Sequence, residues 1–281
     1  MNALELLNSG SDKLQRQKIK TSRLDSEILL SKVLNKRREE VLVKLERVMN
    51  RGEIFAFNDL IQRRMRKEPI AYIMKEKEFW GKKFEVNKYT LIPRPETELL
   101  VEKLIKIYKN KKISILDIGT GSGCILVSLL IELPNSIGVG VDISSKAIEI
   151  ARKNALLYKV ENRIKFLTKS IIKLHNCKFD LLVSNPPYID KKKIRNLDDG
   201  IKKFEPLVAL NGGNDGLDVI KKVIYKAKEI LKINGKLALE IGNDQSKKVS
   251  KELKLNNFII EQNIKDYKEN TRCLISTLIR N

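Results

Sequence analysis

The 281-residue sequence predicts an α/β fold, with a mostly parallel sheet preceded by a small all-α domain. From Ala3 to about Tyr72 the apolar residues follow helical spacing and no strand pattern appears. Beyond residue 110 short apolar runs alternate with helical stretches, as βα units require. Two late apolar runs, 258–264 and 273–278, are separated by a short polar segment instead of a helix, which favours antiparallel pairing.

In chain order, Thr21-Ser22 followed by Leu24, Ile28, Leu29, Val33 and Leu34 reads as a capped amphipathic helix. Val41, Leu42, Leu45, Val48 and Met49 form a second stripe, and the run from Arg63 to Pro69 closes the helical region. Residues 79–86 place aromatic and β-branched side chains on both sides of a Trp-Gly turn, so a hairpin is expected. Pro93 and Pro95 forbid helix until Glu96, where a capped helix is expected to start. Strands are then expected at 113–118, 138–141, 164–167, 179–184 and 236–241, ahead of the two late runs. The boundaries that follow are a helical domain over 1–75, a hairpin linker over 76–95 and the sheet domain over 96–281.

The most informative local feature is Asn185-Pro186-Pro187-Tyr188, at the end of the apolar strand run 179–184. Two successive prolines remove two backbone donors and fix two φ angles, which leaves a stiff turn with outward carbonyl acceptors. The Asn185 side-chain oxygen adds a second acceptor, and Tyr188 can lay a flat ring against a planar amide or base. Such a turn suits an NH2 group. Its structural alternative is a tight loop with a capping Asn.

Upstream, Asp117-Ile118-Gly119-Thr120-Gly121-Ser122-Gly123 ends one strand and opens a helix. Glycines there let the chain turn at positive φ and let a ligand approach the backbone. The spacing is Gly-x-Gly-x-Gly, neither the dinucleotide fingerprint nor a Gly-Lys-Ser/Thr phosphate loop. Nineteen residues beyond Gly123, Asp142 ends the next strand, where a carboxylate can accept both ribose hydroxyls. Together with the Asn-Pro-Pro-Tyr turn, this makes S-adenosyl-L-methionine the expected cofactor, held by Gly119, Thr120, Gly121, Ser122, Gly123 and Asp142. Asp117 has two readings, a hydrogen-bonder inside the fold or a carboxylate near the cofactor's charged methionine portion. Arg94 and Glu96 are read either as ion-pair partners between domains or as a lid over the cofactor.

Composition narrows the chemistry. Cys124, Cys177 and Cys273 are widely spaced with no CxxC pair, which argues against a zinc site or a disulfide framework; buried thiols and no metal are expected. The single histidine, His175, lies in a polar stretch, so the reaction must work without a histidine base. No run of 18 apolar residues and no signal-like stretch appears, and a cytoplasmic protein without membrane contact is expected. The net charge of +21 has two readings, an acidic partner or the lysine-rich usage of an AT-rich genome. Its densest cluster, Lys191-Lys192-Lys193-Ile194-Arg195, follows the Asn-Pro-Pro-Tyr turn.

The segments Arg23-Leu24-Asp25, Glu68-Pro69-Ile70-Ala71-Tyr72-Ile73, Phe79-Trp80-Gly81 and Ile92-Pro93-Arg94-Pro95-Glu96-Thr97-Glu98 carry a family resemblance. So do the glycine loop, Asn185-Pro186-Pro187-Tyr188-Ile189, the stretch from Glu205 to Asp218, and Leu239-Glu240-Ile241-Gly242. Over nearly its whole length the chain resembles the release factor glutamine methyltransferases, the PrmC/HemK family. The Pro-Arg-Pro-Glu run separates it from the related enzymes that act on a ribosomal protein. Two positions depart from the family pattern: Lys75 stands where a glycine is usual, and Thr168-Lys169-Ser170-Ile171 replaces the usual Ser-Asp followed by a large apolar residue.

The resemblance implies a Rossmann-like class I methyltransferase domain, its seven-stranded sheet mostly parallel with one antiparallel strand. It also implies methyl transfer from S-adenosyl-L-methionine, with S-adenosyl-L-homocysteine as product, to the glutamine amide of the Gly-Gly-Gln loop in peptide chain release factors. Asn185, Pro186 and Tyr188 are then the catalytic candidates, and Asn185, Pro186, Pro187 and Tyr188 the substrate-binding ones. Asn185 and Ser170 join the cofactor set, and the helical domain would recognise the release factor's body. The rival reading is an N6-adenine nucleic-acid methyltransferase using the same turn; without a recognisable target-reading insertion, nucleic acid is the disfavoured substrate.

Overall fold

The structure is a computed structural model describing residues 1–175 and 178–279, so Cys177 lies outside the described residues. The chain divides into two compact units, Met1–Lys75 with Asp198–Phe204, and Glu76–Leu197 with Glu205–Asn281.

The first unit holds α1 (Ala3–Arg16), α2 (Ser22–Leu34), α3 (Arg38–Leu42), α4 (Arg51–Met65) and α5 (Ile70–Met74). Capping boxes start α1 and α4: Asn2 exchanges bonds with Glu5, and Asn50 with Glu53. Each helix turns leucines, isoleucines or phenylalanines inward, among them Leu7, Leu14, Leu29, Phe57, Ile61 and Ile73, all fully buried. Burying one such side chain is worth about 1.5–3 kcal/mol. The expected cap on α2 is not made, since Thr21 forms no side-chain cap bond. The second apolar stripe also differs from expectation, because only Arg38–Leu42 is helical and Val48 is 77% exposed. Residues 45–49 pair instead with the start of the chain: the N–H groups of Ala3 and Leu4 donate to the Arg47 and Leu45 carbonyls, and Met49 N–H to Met1. Those bonds replace the helical ladder. A further short helix, α5, follows the expected close of the helical region, with Pro69 at its N-cap.

Lys75 ends α5 in the left-handed conformation, φ +64° and ψ +16°. That is a backbone region glycine adopts freely and a lysine adopts at a cost.

In the second unit β1 (Glu76–Phe79) and β2 (Lys82–Glu85) form the expected hairpin, turned by Trp80 and Gly81 at φ +53° and +62°. Then come α6 (Pro95–Tyr108), β3 (Ser114–Ile118), α7 (Cys124–Glu132), β4 (Ile137–Asp142), α8 (Ser145–Leu157), β5 (Ile164–Thr168) and β6 (Phe179–Ser184). The chain continues through α9 (Asp199–Phe204, in the helical unit), α10 (Asp218–Ile230), β7 (Leu231–Glu240), α11 (Ser246–Leu255), β8 (Phe258–Lys265) and β9 (Thr271–Leu278). Pro95 opens α6 as its first helical residue, and no side chain caps it.

The sheet order is β5-β4-β3-β6-β7-β9-β8; β9 alone runs against the rest. Helices cover both faces. One core joins α6, α7 and α8 to the hairpin, the other joins α10 and α11 to the opposite face. From β3 the strand order proceeds one way through β4 and β5, the other way through β6 and β7. The switch point between β3 and β6 opens a crevice at the strands' C-terminal ends. The glycine loop leaves β3 there, and Asn185 leaves β6.

Candidate active site

Beyond β3 the chain turns through Gly119, Gly121 and Gly123 at φ +72°, +55° and +79°. Nothing stands within 4 Å of the place a Cβ would take on Gly119, so a ligand can reach the backbone there. The N–H groups of Gly119 and Thr120 donate to the Val141 carbonyl at 2.8 and 3.0 Å. Gly121 N–H donates to Asp142 Oδ2 at 3.0 Å, and Ser144 N–H to Asp142 Oδ1 at 2.9 Å. Asp142 thus clamps the loop to the end of β4. Burial raises its carboxyl above the ordinary range, while the N–H donors from Ser144 and Gly121 hold the charged form.

Behind the loop, the Thr120 hydroxyl donates to Asp117 Oδ2 at 2.6 Å, and Asp117 is fully buried with no partner at Oδ1. Burial pushes its carboxyl up to about 7, against the Thr120 bond. Asn154 on α8 braces the same loop from the other side. Its Nδ2 donates to the carbonyls of Ser122 at 2.8 Å and Glu85 at 3.0 Å, and Glu85 N–H donates back to its Oδ1 at 2.7 Å.

In front of the loop lies a cavity of about 670 Å³. Gly119, Thr120, Gly121 and Ser122 line one side, with Asp142, Ser170 and Asn185 around them. Three sequence-predicted cofactor and catalytic positions fall elsewhere. Gly123 is behind the lining, where a Cβ would stand 3.2 Å from that of Ala151, so it serves the close packing of α7 on α8. Pro186 and Tyr188 are not on the wall either, although Pro187 is. Lys169 and Ile171 flank Ser170 on the lining, so the departure from the family pattern falls on the cavity wall itself. His175 is exposed, and Cys124 and Cys273 are buried, free thiols. Burial pushes the Cys124 thiol up to about 12, away from nucleophilic use. Among the described residues no group of carboxylates, cysteines and histidine could hold a metal.

Asn185 belongs to a buried chain of polar groups. Its Nδ2 donates to Thr97 Oγ1 at 3.2 Å, and the Thr97 hydroxyl donates to Glu240 Oε2 at 2.5 Å. Tyr188 OH donates to Glu240 Oε1 at 3.3 Å. Tyr188 therefore turns its hydroxyl to Glu240 and packs its ring on the α10–α11 side of the sheet, instead of walling the cavity. Its hydroxyl is raised above the ordinary tyrosine range, first by burial and then by the Glu240 charge. Glu240 is wholly buried at the end of β7, and burial raises its carboxyl while the Thr97 hydroxyl opposes the shift. Among the described residues no donor reaches Asn185 Oδ1 or the Pro186 carbonyl, so both stay available as acceptors.

The far wall is set by Glu205. Arg94 Nη2 donates to its Oε1 at 2.6 Å and Ile92 N–H to its Oε2 at 3.1 Å, with the Glu205 side chain 1% exposed. The pair ties 92–94 to 205–209, two stretches that both contribute to the cavity wall. Among the described residues Glu96 makes no comparable ion pair. Further along, Gln245 Nε2 donates to the carbonyls of Tyr188 and Gly216, at 2.9 and 3.1 Å. Gly216 is at φ +75°, and a Cβ there would stand 2.4 Å from the Tyr188 carbonyl, which explains glycine at that position. Thr97, Glu240, Asn154 and the Arg94–Glu205 pairing were not singled out by sequence reasoning. Thr97, Glu205 and Glu240 do stand inside the segments that carried the family resemblance.

Known proteins match both units. A family model described as PrmC N-terminal domain matches residues 5–74, and one described as Methyltransferase small domain matches residues 95–199. The chain is 38% identical to a release factor glutamine methyltransferase of Fusobacterium nucleatum, over 97% of this chain and 78% of that protein. It is 39% identical to a bifunctional methyltransferase of Rickettsia felis, over 96% of this chain and 57% of that protein. The chain spans about half the length of these bifunctional relatives. A methyltransferase structure from Pyrococcus furiosus superposes with a TM-score of 0.55 at 19% identity, covering 78% of this chain and 99% of that one, a likeness of fold. With its helical unit and its sheet unit both matched, and more than a third of its residues shared with a relative over almost its full length, the chain belongs to the release factor glutamine methyltransferase family.

Proposed function

We propose that this chain transfers a methyl group from S-adenosyl-L-methionine to the side-chain amide nitrogen of the glutamine in the Gly-Gly-Gln motif of peptide chain release factors. The observation that carries the reading is Asn185, held by its NH2 group to Thr97 with its Oδ1 free, on the wall of the cavity that the glycine loop also lines.

The cavity suits the cofactor on two counts: Gly119 leaves its backbone open, and Asp142, at the end of β4, keeps lone pairs beyond its two N–H donors that suit ribose hydroxyls. Gly119, Gly121, Asp142 and Ser170 would hold it, with Ile171 and Ile143 as apolar wall. When bound, the cofactor would supply a methyl on a sulfonium sulfur, which departs as a neutral thioether when the C–S bond breaks and so needs no acid.

An amide nitrogen is a weak nucleophile because its lone pair is shared with the carbonyl, and no histidine base is at hand. Asn185 Oδ1, on the cavity wall, can accept one N–H of the glutamine amide, and the adjacent Pro186 carbonyl, off that wall but without a donor among the described residues, is the acceptor proposed for the other. This fixes the nitrogen's orientation and stabilises the positive charge that develops on it. Orientation of this kind contributes as much as about 7–11 kcal/mol in favourable cases. Pro187 stiffens the turn. The helical unit is assigned to recognition of the release factor's body, since an amide alone is too small to define a substrate. Among the described residues no helix is long and apolar enough to cross a membrane; a cytoplasmic site of action is part of the proposal.

The net charge of +21 favours a second reading, a nucleic-acid adenine methyltransferase with the same two acceptors. Incubation with methyl-labelled cofactor, a release factor and nucleic acid together separates the two. Label is expected in the release factor; label in nucleic acid alone would overturn the reading.

A further inference from the structure

The reaction above does not account for Glu240. It is a carboxylate with no exposed surface, and no ion pair reaches it among the described residues. Two hydroxyls, of Thr97 and Tyr188, are its hydrogen-bond donors. A buried carboxylate whose hydrogen-bond donors are both neutral hydroxyls is costly to the fold, even with the Arg272 charge near enough to favour its ionised form. Departures of this kind from the rules of a stable core concentrate at functional sites.

Its geometry gives it a task. A threonine hydroxyl has one proton and two lone pairs. With the Thr97 proton committed to Glu240 Oε2, the Thr97 oxygen can only accept, so the group of Asn185 that faces it must be the NH2. The Asn185 amide is thereby locked with Oδ1 as its free atom. The reverse orientation would present two N–H donors to an incoming NH2 group, donor against donor. Tyr188 OH supplies the second bond that keeps Glu240 an acceptor.

We infer that Thr97 and Glu240 are positioning residues that set the direction of a proton chain, Asn185 to Thr97 to Glu240, and so hold Asn185 as a hydrogen-bond acceptor. The inference rests on the proposed role of Asn185 in binding the substrate amide, and it places a determinant of that role on two other elements, the first turn of α6 and the end of β7.

The test uses the full chain with Thr97→Val, which removes the hydroxyl at nearly constant shape, and Thr97→Ser, which keeps it. Expected for Thr97→Val is a fall in kcat of about 100-fold, the scale of a misplaced catalytic contact, with the KM for cofactor little changed. Thr97→Ser restores most of the activity. In an Asn185→Ala background Thr97→Val costs nothing further, because residues acting as one unit are not additive. A second readout needs no substrate. In the nitrogen-15 NMR spectrum the Asn185 side-chain NH2 should exchange slowly with water in the wild type and in Thr97→Ser, and rapidly in Thr97→Val. Failure of the wild type to label a release factor, with that NMR signature intact, would count against the substrate reading and leave the orientation supported. Unchanged kcat in Thr97→Val, an equal fall in the Asn185→Ala background, or an Asn185 NH2 that exchanges at the same rate in all three proteins would overturn the inference.

Discussion

Asn154 Nδ2 donates to the Ser122 carbonyl at 2.8 Å, joining the fourth residue of the glycine loop to the last turn of α8. The same side chain closes two bonds with the backbone of Glu85, so a single fully buried amide aligns loop, helix and hairpin. Replacing it leaves three backbone groups without a partner. Asn154→Ala is expected to cost about 2–4 kcal/mol in unfolding free energy, from the penalty on unsatisfied buried groups. Chemical denaturation measures it, and cofactor affinity should fall as well because Ser122 loses its brace.

The Arg94–Glu205 pair carries a second expectation. Arg94 is 29% exposed while Glu205 is 1% exposed, so removing the arginine strands the better-buried charge. Arg94→Met should destabilise the protein by about 3 kcal/mol, the usual scale for breaking a buried pair from one side. It should also weaken cofactor binding, since Pro93, Arg94 and residues 206–209 line the cavity. Calorimetric titration with S-adenosyl-L-homocysteine reads the second effect.

Lys75 offers a test in the opposite direction. At φ +64° it occupies the region in which a side chain is strained. Lys75→Gly relieves that strain while loosening the unfolded chain, and the balance should stabilise the protein by up to about 1 kcal/mol. Thermal unfolding of the two proteins side by side measures the shift.

Asp117 sets a pH dependence. Its carboxyl is raised from 3.8 to about 7 by burial, so the folded state holds a proton that the unfolded state releases near pH 4. The folded protein therefore gains from this group at low pH and loses that stability as pH rises from about 4 through 7. Asp117→Asn removes the titration and can still accept from Thr120. It should gain on the order of 2–4 kcal/mol over the wild type at pH 8 and little at pH 4, as read by urea unfolding at both pH values.

Much of this was legible in the chain. The strand 179–184 stood out because an apolar run stops at two prolines, and the structure begins and ends β6 at those residues. Gly119, Thr120, Gly121 and Asp142 were legible because glycine spacing and an acidic strand end reflect backbone needs that are local. β7 was read five residues short, since Lys232-Ile233-Asn234-Gly235 looks like a loop. In the structure the strand carries them past a register shift opposite Phe179 and Leu181. The stripe from Val41 to Met49 has helical spacing, yet its partner is the chain's own first residues, a contact no periodicity reveals. The same holds for the site. Thr97, Asn185, Tyr188 and Glu240 come from two separate elements, α6 and β7, and the turn after β6, and only folding brings them into one chain of hydrogen bonds.

The central claim is that Asn185 presents an acceptor to a glutamine amide. The most direct measurement incubates a release factor with methyl-labelled cofactor and either the wild type or Asn185→Ala, and locates the label by tandem mass spectrometry. The account expects one methyl group on the glutamine of the Gly-Gly-Gln motif with the wild type. With Asn185→Ala it expects a rate lower by about 100-fold or more, at a cofactor affinity changed far less. Near-normal turnover by Asn185→Ala, or label on any other residue, would contradict it.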